Sequence, residues 1–145
     1  MRDLPRQLTE DQLAELFEGR TRLTELLAQR ENPLEAAPEV VSELSEQEKL
    51  EALNAHPAIG SRDLSKRSAE EQGAGADPVI LTELAYLNQV YEEKFGFRFV
   101  VFVNRRSKAE ILEVLRERLE RSREEELKTA LEQLVAIARD RGQRG

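Results

Sequence analysis

Residues Ile80–Val103 read ILTELAYLNQVYEEKFGFRFVVFV, and the pattern of this stretch changes at Gly96. Before the glycine, apolar side chains recur at intervals that predict an amphipathic helix of about four turns. After the glycine, residues 97–103 are β-branched or aromatic except for Arg98, which is typical of a strand. Nothing else in the chain reads convincingly as a strand, so these residues would have no partner strand. We therefore expect residues 97–104 to cross a helical protein as buried, extended or irregular backbone.

The remainder of the chain is predicted to be mostly helical. Capping-box spacing, in which Ser or Thr precedes Glu or Gln by three residues, marks helix starts; it occurs at Thr9, Ser45, Ser68, Ser107 and Ser122. The first helix is predicted to continue to about Gln29, before Asn32 and Pro33 break the pattern. The second is expected to end near His56, because the residue before a proline is pushed out of the helical region. These patterns predict one all-α domain over residues 1–145, with about seven to nine helices.

Composition excludes several classes of protein. The chain has 145 residues, no cysteine and one histidine, so disulfides, a thiolate nucleophile and cysteine-based metal sites are excluded. One histidine cannot supply the usual set of zinc ligands, and we predict no metal site. The 29 acidic residues against 22 basic ones give a net charge of −7, which argues against nucleic acid as a partner. No apolar run approaches the roughly 20 residues that span a bilayer, so we expect a cytoplasmic protein with no membrane partner.

His56 is the first candidate for chemistry because it is the only imidazole in the chain. With an ordinary pKa of about 6.5, a histidine side chain donates or accepts a proton near neutral pH. Pro57 follows it and restricts the direction of the backbone, which suits a catalytic group. A histidine that only caps or hydrogen-bonds a helix end is the alternative, and for a histidine taken alone it is the commoner outcome.

Two further segments carry polar groups suited to binding an anion. Residues 68–72 place a hydroxyl, carboxylates and an amide at a predicted helix start, where backbone N–H groups and the helix dipole favour an anion. Residues 104–106, Asn-Arg-Arg, follow the buried apolar run, and an arginine fork matches a carboxylate with two hydrogen bonds. The alternatives are an ordinary capping box at Ser68 and an ordinary solvated turn before Ser107.

Arg141 is the remaining candidate from the pattern of the last predicted helix. It follows Leu134 by seven residues and Ile137 by four, so it falls on the apolar stripe. A cation at such a position either points into a polar cavity or extends from a fraying helix end. Gly142 favours the fraying end. Arg139 lies off the stripe and is interpreted as a solvated charge.

The order of these motifs resembles one known family. They are HP at 56–57, SxxEQ at 68–72, LNxxYxxKFGFxF at 87–99, KAxIL at 108–112 and IAxxR at 137–141. Together they resemble the 2-oxo-4-hydroxy-4-carboxy-5-ureidoimidazoline (OHCU) decarboxylases of urate degradation. The resemblance runs from His56 to Arg141, and weakly back to residues 16–18.

The resemblance implies an all-helical, cofactor-free enzyme, usually a homodimer, that converts OHCU, a small anionic ureide, to (S)-allantoin and CO₂. It implies that His56 is the catalytic acid/base and that Glu71 orients His56 or binds a ring N–H. The residues implied to line the substrate are Pro57, Ser68, Ala69, Glu70, Glu71, Gln72, Phe102, Val103, Asn104, Arg105, Arg106 and Arg141. Many family members carry arginine where this chain has Asn104. Either the neighbouring Arg105 substitutes for it or one contact to the anion is missing.

The residue types fit this chemistry. Loss of CO₂ leaves an electron pair that the ring carbonyl can accept, so no metal or prosthetic group is required as an electron sink. An acid must then protonate one face of the carbon, and His56 is the only imidazole that can do so. Two alternatives stay open: a non-catalytic helical binding module of the same fold, and a decarboxylase of a different ureide acid.

Overall fold

The computed structural model describes residues 7–56 and 77–144. These ranges contain seven helices and no strand, which confirms the predicted all-α class. The helices are α1 (Glu10–Phe17), α2 (Arg22–Leu27), α3 (Pro33–Glu43), α4 (Glu46–Asn54), α5 (Pro78–Phe95), α6 (Lys108–Leu119) and α7 (Arg123–Arg144). None of these helices combines the length and apolar character needed to cross a membrane. The predicted short helix at Ser68 lies outside the described residues.

Local side-chain hydrogen bonds explain where four of the helices begin. The capping boxes predicted at Thr9, Ser45, Ser107 and Ser122 all form, each with reciprocal hydrogen bonds to the residue three positions on. The hydrogen bonds from Ser107 and Ser122 hold the pKa values of Glu110 and Glu125 below the usual range for a glutamate. The C-terminal end predicted for α5 is also correct, since Gly96 ends that helix with φ at 82°.

The single helix predicted from Thr9 to Gln29 is wrong, because a turn at residues 18–21 divides it into α1 and α2. Glu18 ends α1 in the left-handed conformation, and Thr21 starts α2 with its own capping box. The signal was present in the sequence. The step of six residues from Phe17 to Leu23 does not match the three- or four-residue spacing of a helix.

Helix α3 was not predicted, because Asn32 and Pro33 were interpreted as a break in the helical pattern. Pro33 lies in the first turn of the helix, where a proline is favoured since its N–H would be unpaired there in any case. Pro38 lies inside the helix and cannot donate to the Leu34 carbonyl. Arg139 Nε donates to that oxygen instead, at 2.9 Å. The prediction that Arg139 is a solvated charge is therefore wrong, and its guanidinium links α7 to α3.

Helix α7 is the element around which the N-terminal helices assemble. It packs against α1, α3 and α4, while α2 packs against the same three helices and α5 pairs with α6. All of these helices contribute side chains to one hydrophobic core. The arrangement brings the C-terminal end of α7 close to residues near the start of the chain.

Residues 97–103 pass through this core without helical or strand structure, in agreement with the predicted buried segment of extended or irregular backbone. Five of the seven are buried: Phe97, Phe99, Val100, Val101 and Val103. Side chains of other elements accept hydrogen bonds from the backbone of this segment, in place of a partner strand. The N–H groups of Arg98 and Phe102 donate to Asn54 Oδ1 and Gln133 Oε1, at 3.0 and 2.8 Å. Because buried backbone polar groups need partners, these bonds help to accommodate a segment without regular secondary structure inside a helical protein.

Candidate active site

His56 lies immediately after α4 and is buried, with 7% of its surface exposed. Its carbonyl oxygen accepts a hydrogen bond from Arg98 Nη1 at 2.8 Å, and its N–H donates to the Leu53 carbonyl. The first of these bonds links the end of α4 to residues 97–103, the crossing segment. The backbone that carries the imidazole is therefore fixed from two directions.

Arg141 is fully buried in α7, which continues to Arg144, so the predicted fraying end is wrong. Its Nη1 lies 2.9 Å from Glu18 Oε1 and donates to the Leu16 carbonyl at 3.0 Å. The Glu18 side chain is itself only 10% exposed. The C-terminal end of α1 thus provides two acceptors for the guanidinium, a carboxylate and a carbonyl oxygen.

The turn between α1 and α2 contacts both Arg141 and the residue before His56. Glu18 pairs with Arg141, and a Cβ placed on the adjacent Gly19 would lie 3.3 Å from the Cβ of Ala55. Ala55 is the residue directly before His56. The same short turn therefore contacts Arg141 through Glu18 and approaches the side chain of the residue before His56 through Gly19.

The predicted substrate-lining segment 102–106 continues from the crossing segment. Phe102 is half-buried and Val103 is buried, whereas Asn104 and Arg105 are exposed and both have positive φ, 47° and 66°. Arg106 turns back on the segment, where its Nε and Nη2 donate to the carbonyls of Val103 and Phe102. Its guanidinium therefore stabilises the turn itself.

Pro57 and the other predicted lining residues, 68–72, lie outside the described residues. This part of the predicted site includes Glu71, the second implied catalytic residue.

Sequence reasoning missed two groups of buried charges. One is Glu18, which was included only in the weak part of the family resemblance at residues 16–18 and was not assigned a role. The other is the Arg118–Glu126 cluster, which consists of Tyr91, Arg118 and Glu126. Charges on an apolar stripe were the available signal, since Arg118 follows Leu115 by three residues and Glu126 precedes Ala130 by four.

The Arg118–Glu126 cluster joins α5, α6 and α7 to the crossing segment. Arg118 Nε donates to Glu126 Oε1 at 2.8 Å, and Arg118 Nη1 donates to the Val100 carbonyl at 2.7 Å. The Tyr91 hydroxyl donates to the same Glu126 oxygen at 2.5 Å. Burial, followed by the hydrogen bond to Glu126, raises the pKa of Tyr91, so the phenol stays protonated and acts as a donor. The cluster fixes the backbone that leads to residues 102–106.

These features define a class of protein: an all-helical domain in which one interhelical turn contacts the guanidinium of a buried arginine and the residue before a buried histidine. The comparison with known families gives the particular one. The OHCU decarboxylase family matches residues 2–143, and the chain belongs to that family. The resemblance inferred from the sequence motifs is confirmed.

Curated relatives carry the same description. The chain is 37% identical over 109 residues to a 2-oxo-4-hydroxy-4-carboxy-5-ureidoimidazoline decarboxylase of Halalkalicoccus jeotgali, covering 72% of this chain and 62% of that protein. It is 38% identical over 105 residues to a uric acid degradation bifunctional protein of Bacillus sp. (strain TB-90), covering 69% of this chain and 21% of the relative. The chain thus spans about three fifths of the first relative and about one fifth of the second.

Solved structures show the same fold. A crystal structure of OHCU decarboxylase in the presence of (S)-allantoin superimposes with a TM-score of 0.78 at 25% identity, covering 92% of this chain and 96% of that one. An (S)-allantoin synthase superimposes with a TM-score of 0.65 at 27% identity, covering 89% of this chain and 46% of the other. The helical arrangement is therefore shared along nearly the whole chain.

Proposed function

We propose that this protein decarboxylates OHCU to (S)-allantoin and CO₂ in urate degradation, without a cofactor. The observation that carries the proposal is the burial of His56 and Arg141 in a chain of the OHCU decarboxylase family, where the turn between α1 and α2 contacts Arg141 and the residue before His56. One group can move a proton and the other can attract the carboxylate of the substrate. These are the two tasks that the reaction requires.

The proposed reaction begins with cleavage of the bond between the ring carbon and its carboxylate. The electron pair of that bond moves onto the neighbouring ring carbonyl, and an enolate-like species forms as CO₂ leaves. Hydrogen-bond donors aimed at the developing negative oxygen lower the barrier, since they interact most strongly where charge appears. His56 then delivers a proton to one face of the carbon, which sets the S configuration.

Substrate binding is proposed to depend on a local positive charge in a protein of net charge −7. Arg141 is fully buried, and charge interactions are stronger away from water than at the surface. Glu71 is proposed to orient His56 or to bind a ring N–H of the substrate. Ser68 and Gln72 are proposed to bind the polar ureide edges, and Pro57, Ala69, Glu70 and residues 102–106 to form the rest of the lining.

The proposal is tested with OHCU generated freshly from urate. We expect the protein to accelerate the decay of OHCU in absorbance measurements and to produce allantoin with the circular dichroism of the S enantiomer. The spontaneous reaction gives racemic product and serves as the control. An unchanged rate with racemic product would reject the proposal that the protein is an OHCU decarboxylase. Binding of the ureide without turnover would then favour the binding module, and turnover of another ureide acid alone would favour the second alternative.

Arg105 is proposed to replace the arginine that many family members carry at the position of Asn104. Its exposed guanidinium would contact the anionic substrate by solvent-screened attraction, so Arg105→Ala is expected to raise KM about 3- to 10-fold while kcat changes little. Steady-state kinetics on OHCU measure both constants. Arg116→Ala, which removes a surface arginine of α6 that pairs with exposed carboxylates, is the control. Equal KM values for Arg105→Ala and the unsubstituted protein would show that Arg105 does not take the role of the family's arginine.

A homodimer in the cytoplasm is also proposed, on the strength of the family. Sedimentation at micromolar concentration is expected to give twice the chain mass of 16.6 kDa. A mass equal to that of one chain would contradict the dimer.

A further inference from the structure

Glu18 combines two features that seldom occur together. Its backbone is left-handed, with φ at 67°, a conformation that glycine or asparagine adopts far more readily than glutamate. Its side chain is nevertheless only 10% exposed and carries a carboxylate. The neighbouring residue is Gly19, so the turn already contains a residue suited to an unusual backbone. The requirements of the backbone therefore do not explain a glutamate at position 18.

The contact of Glu18 with Arg141 provides a reason. Arg141 Nη1 lies 2.9 Å from Glu18 Oε1 and 3.0 Å from the Leu16 carbonyl oxygen. Because a guanidinium is rigid and planar, two acceptors on one terminal nitrogen restrict the direction of its other donors. The Glu18 carboxylate also balances the charge of an arginine with no exposed surface.

We propose that Glu18 is a positioning residue, which orients Arg141 toward the substrate carboxylate and keeps its charge buried when no substrate is bound. This inference rests on the proposed function, because it assigns a second residue to the same site. Gly19 lies against Ala55, so Glu18 is held next to the turn that carries His56. A purely structural tie between α1 and α7 is the competing explanation.

Two substitutions separate the carboxylate from the backbone. Glu18→Asn tolerates the left-handed conformation, so it keeps the turn and removes the carboxylate. Glu18→Gln keeps the length of the side chain and an acceptor oxygen but removes the charge. Asp11→Asn is the matched control, since Asp11 lies on the same helix and pairs with Arg20 at the surface.

Kinetics on OHCU give the first measurement. We expect Glu18→Asn to lower kcat/KM about 10- to 100-fold, because a small displacement of a positioning group costs up to about that factor. Glu18→Gln should recover part of the loss and Asp11→Asn should show none. In an Arg141→Gln background, Glu18→Asn should cause no further loss, since it acts through the arginine. Full kcat/KM in folded Glu18→Asn, or an equal loss in both backgrounds, would overturn the proposal.

The second measurement does not depend on turnover. In a ¹⁵N spectrum of the arginine side chains, the Nε–H signal that disappears in Arg141→Lys belongs to Arg141. We expect Glu18→Asn to shift or broaden this signal and Asp11→Asn to leave it unchanged. An unchanged signal in Glu18→Asn would reject the positioning role. Absence of OHCU turnover by the unsubstituted protein would instead reject the proposed function, so the two failures are distinguishable.

Discussion

Arg118→Met is expected to lower the free energy of unfolding by about 3 kcal/mol, the lower end of the range for breaking a buried ion pair. The substitution leaves the fully buried carboxylate of Glu126 without its closest charged partner and the Val100 carbonyl without a donor. Arg121 Nη1 lies 3.2 Å from Glu126 Oε2 and compensates part of the charge, which is why we expect the lower end. Chemical denaturation followed by circular dichroism measures the change.

Arg116→Met is the matched control for this prediction. Arg116 lies two residues earlier on α6 and pairs with two carboxylates, those of Glu83 and Glu113. These contacts lie at the surface, where exposed ion pairs add little to stability, so we expect a much smaller effect. The double variant Arg118→Met/Glu126→Met should be more stable than Arg118→Met alone, because it no longer buries an unbalanced charge. If Arg118→Met and Arg116→Met lose stability equally, the cluster does not hold the crossing segment.

His56→Gln is expected to lower kcat for OHCU by about 10²- to 10⁴-fold, the usual contribution of a positioned acid or base. Glutamine is similar in size and forms hydrogen bonds, but it does not titrate near neutral pH. The residual rate should therefore lose any dependence on pH that an imidazole imposes between about pH 5 and 8. Stopped-flow measurement of OHCU decay over that range tests both expectations.

The substitution should leave the fold intact. The bond between His56 and Arg98 uses the carbonyl oxygen of the histidine, which a change of side chain does not remove. An unfolding midpoint close to that of the unsubstituted protein is the required control. Near-full turnover in a folded His56→Gln variant would show that the histidine is structural, which was the commoner interpretation of a single histidine.

Much of the helical framework could be predicted from the sequence because its signals are local. A capping box is completed within three residues, and Gly96 ends α5 through its own backbone conformation. Helix α3 is the contrasting case. Pro38 is acceptable inside it because Arg139, 105 residues beyond Leu34, donates to the Leu34 carbonyl. A rule based on neighbouring residues cannot identify a hydrogen-bond donor so far along the chain.

The sequence by itself determined the helical class, the single imidazole and the family, because these depend on residue identity, short-range spacing and motif order. Only the tertiary structure decided which charges are buried and what neutralises them. The neighbouring Gly142 favoured a fraying helix end for Arg141, yet Arg141 is fully buried and donates to the carbonyl of Leu16, 125 residues away. The physical reason is that burial and charge pairing depend on which helices meet. The packing of α7 against α1 determines the burial and the charge pairing of Arg141 and Glu18.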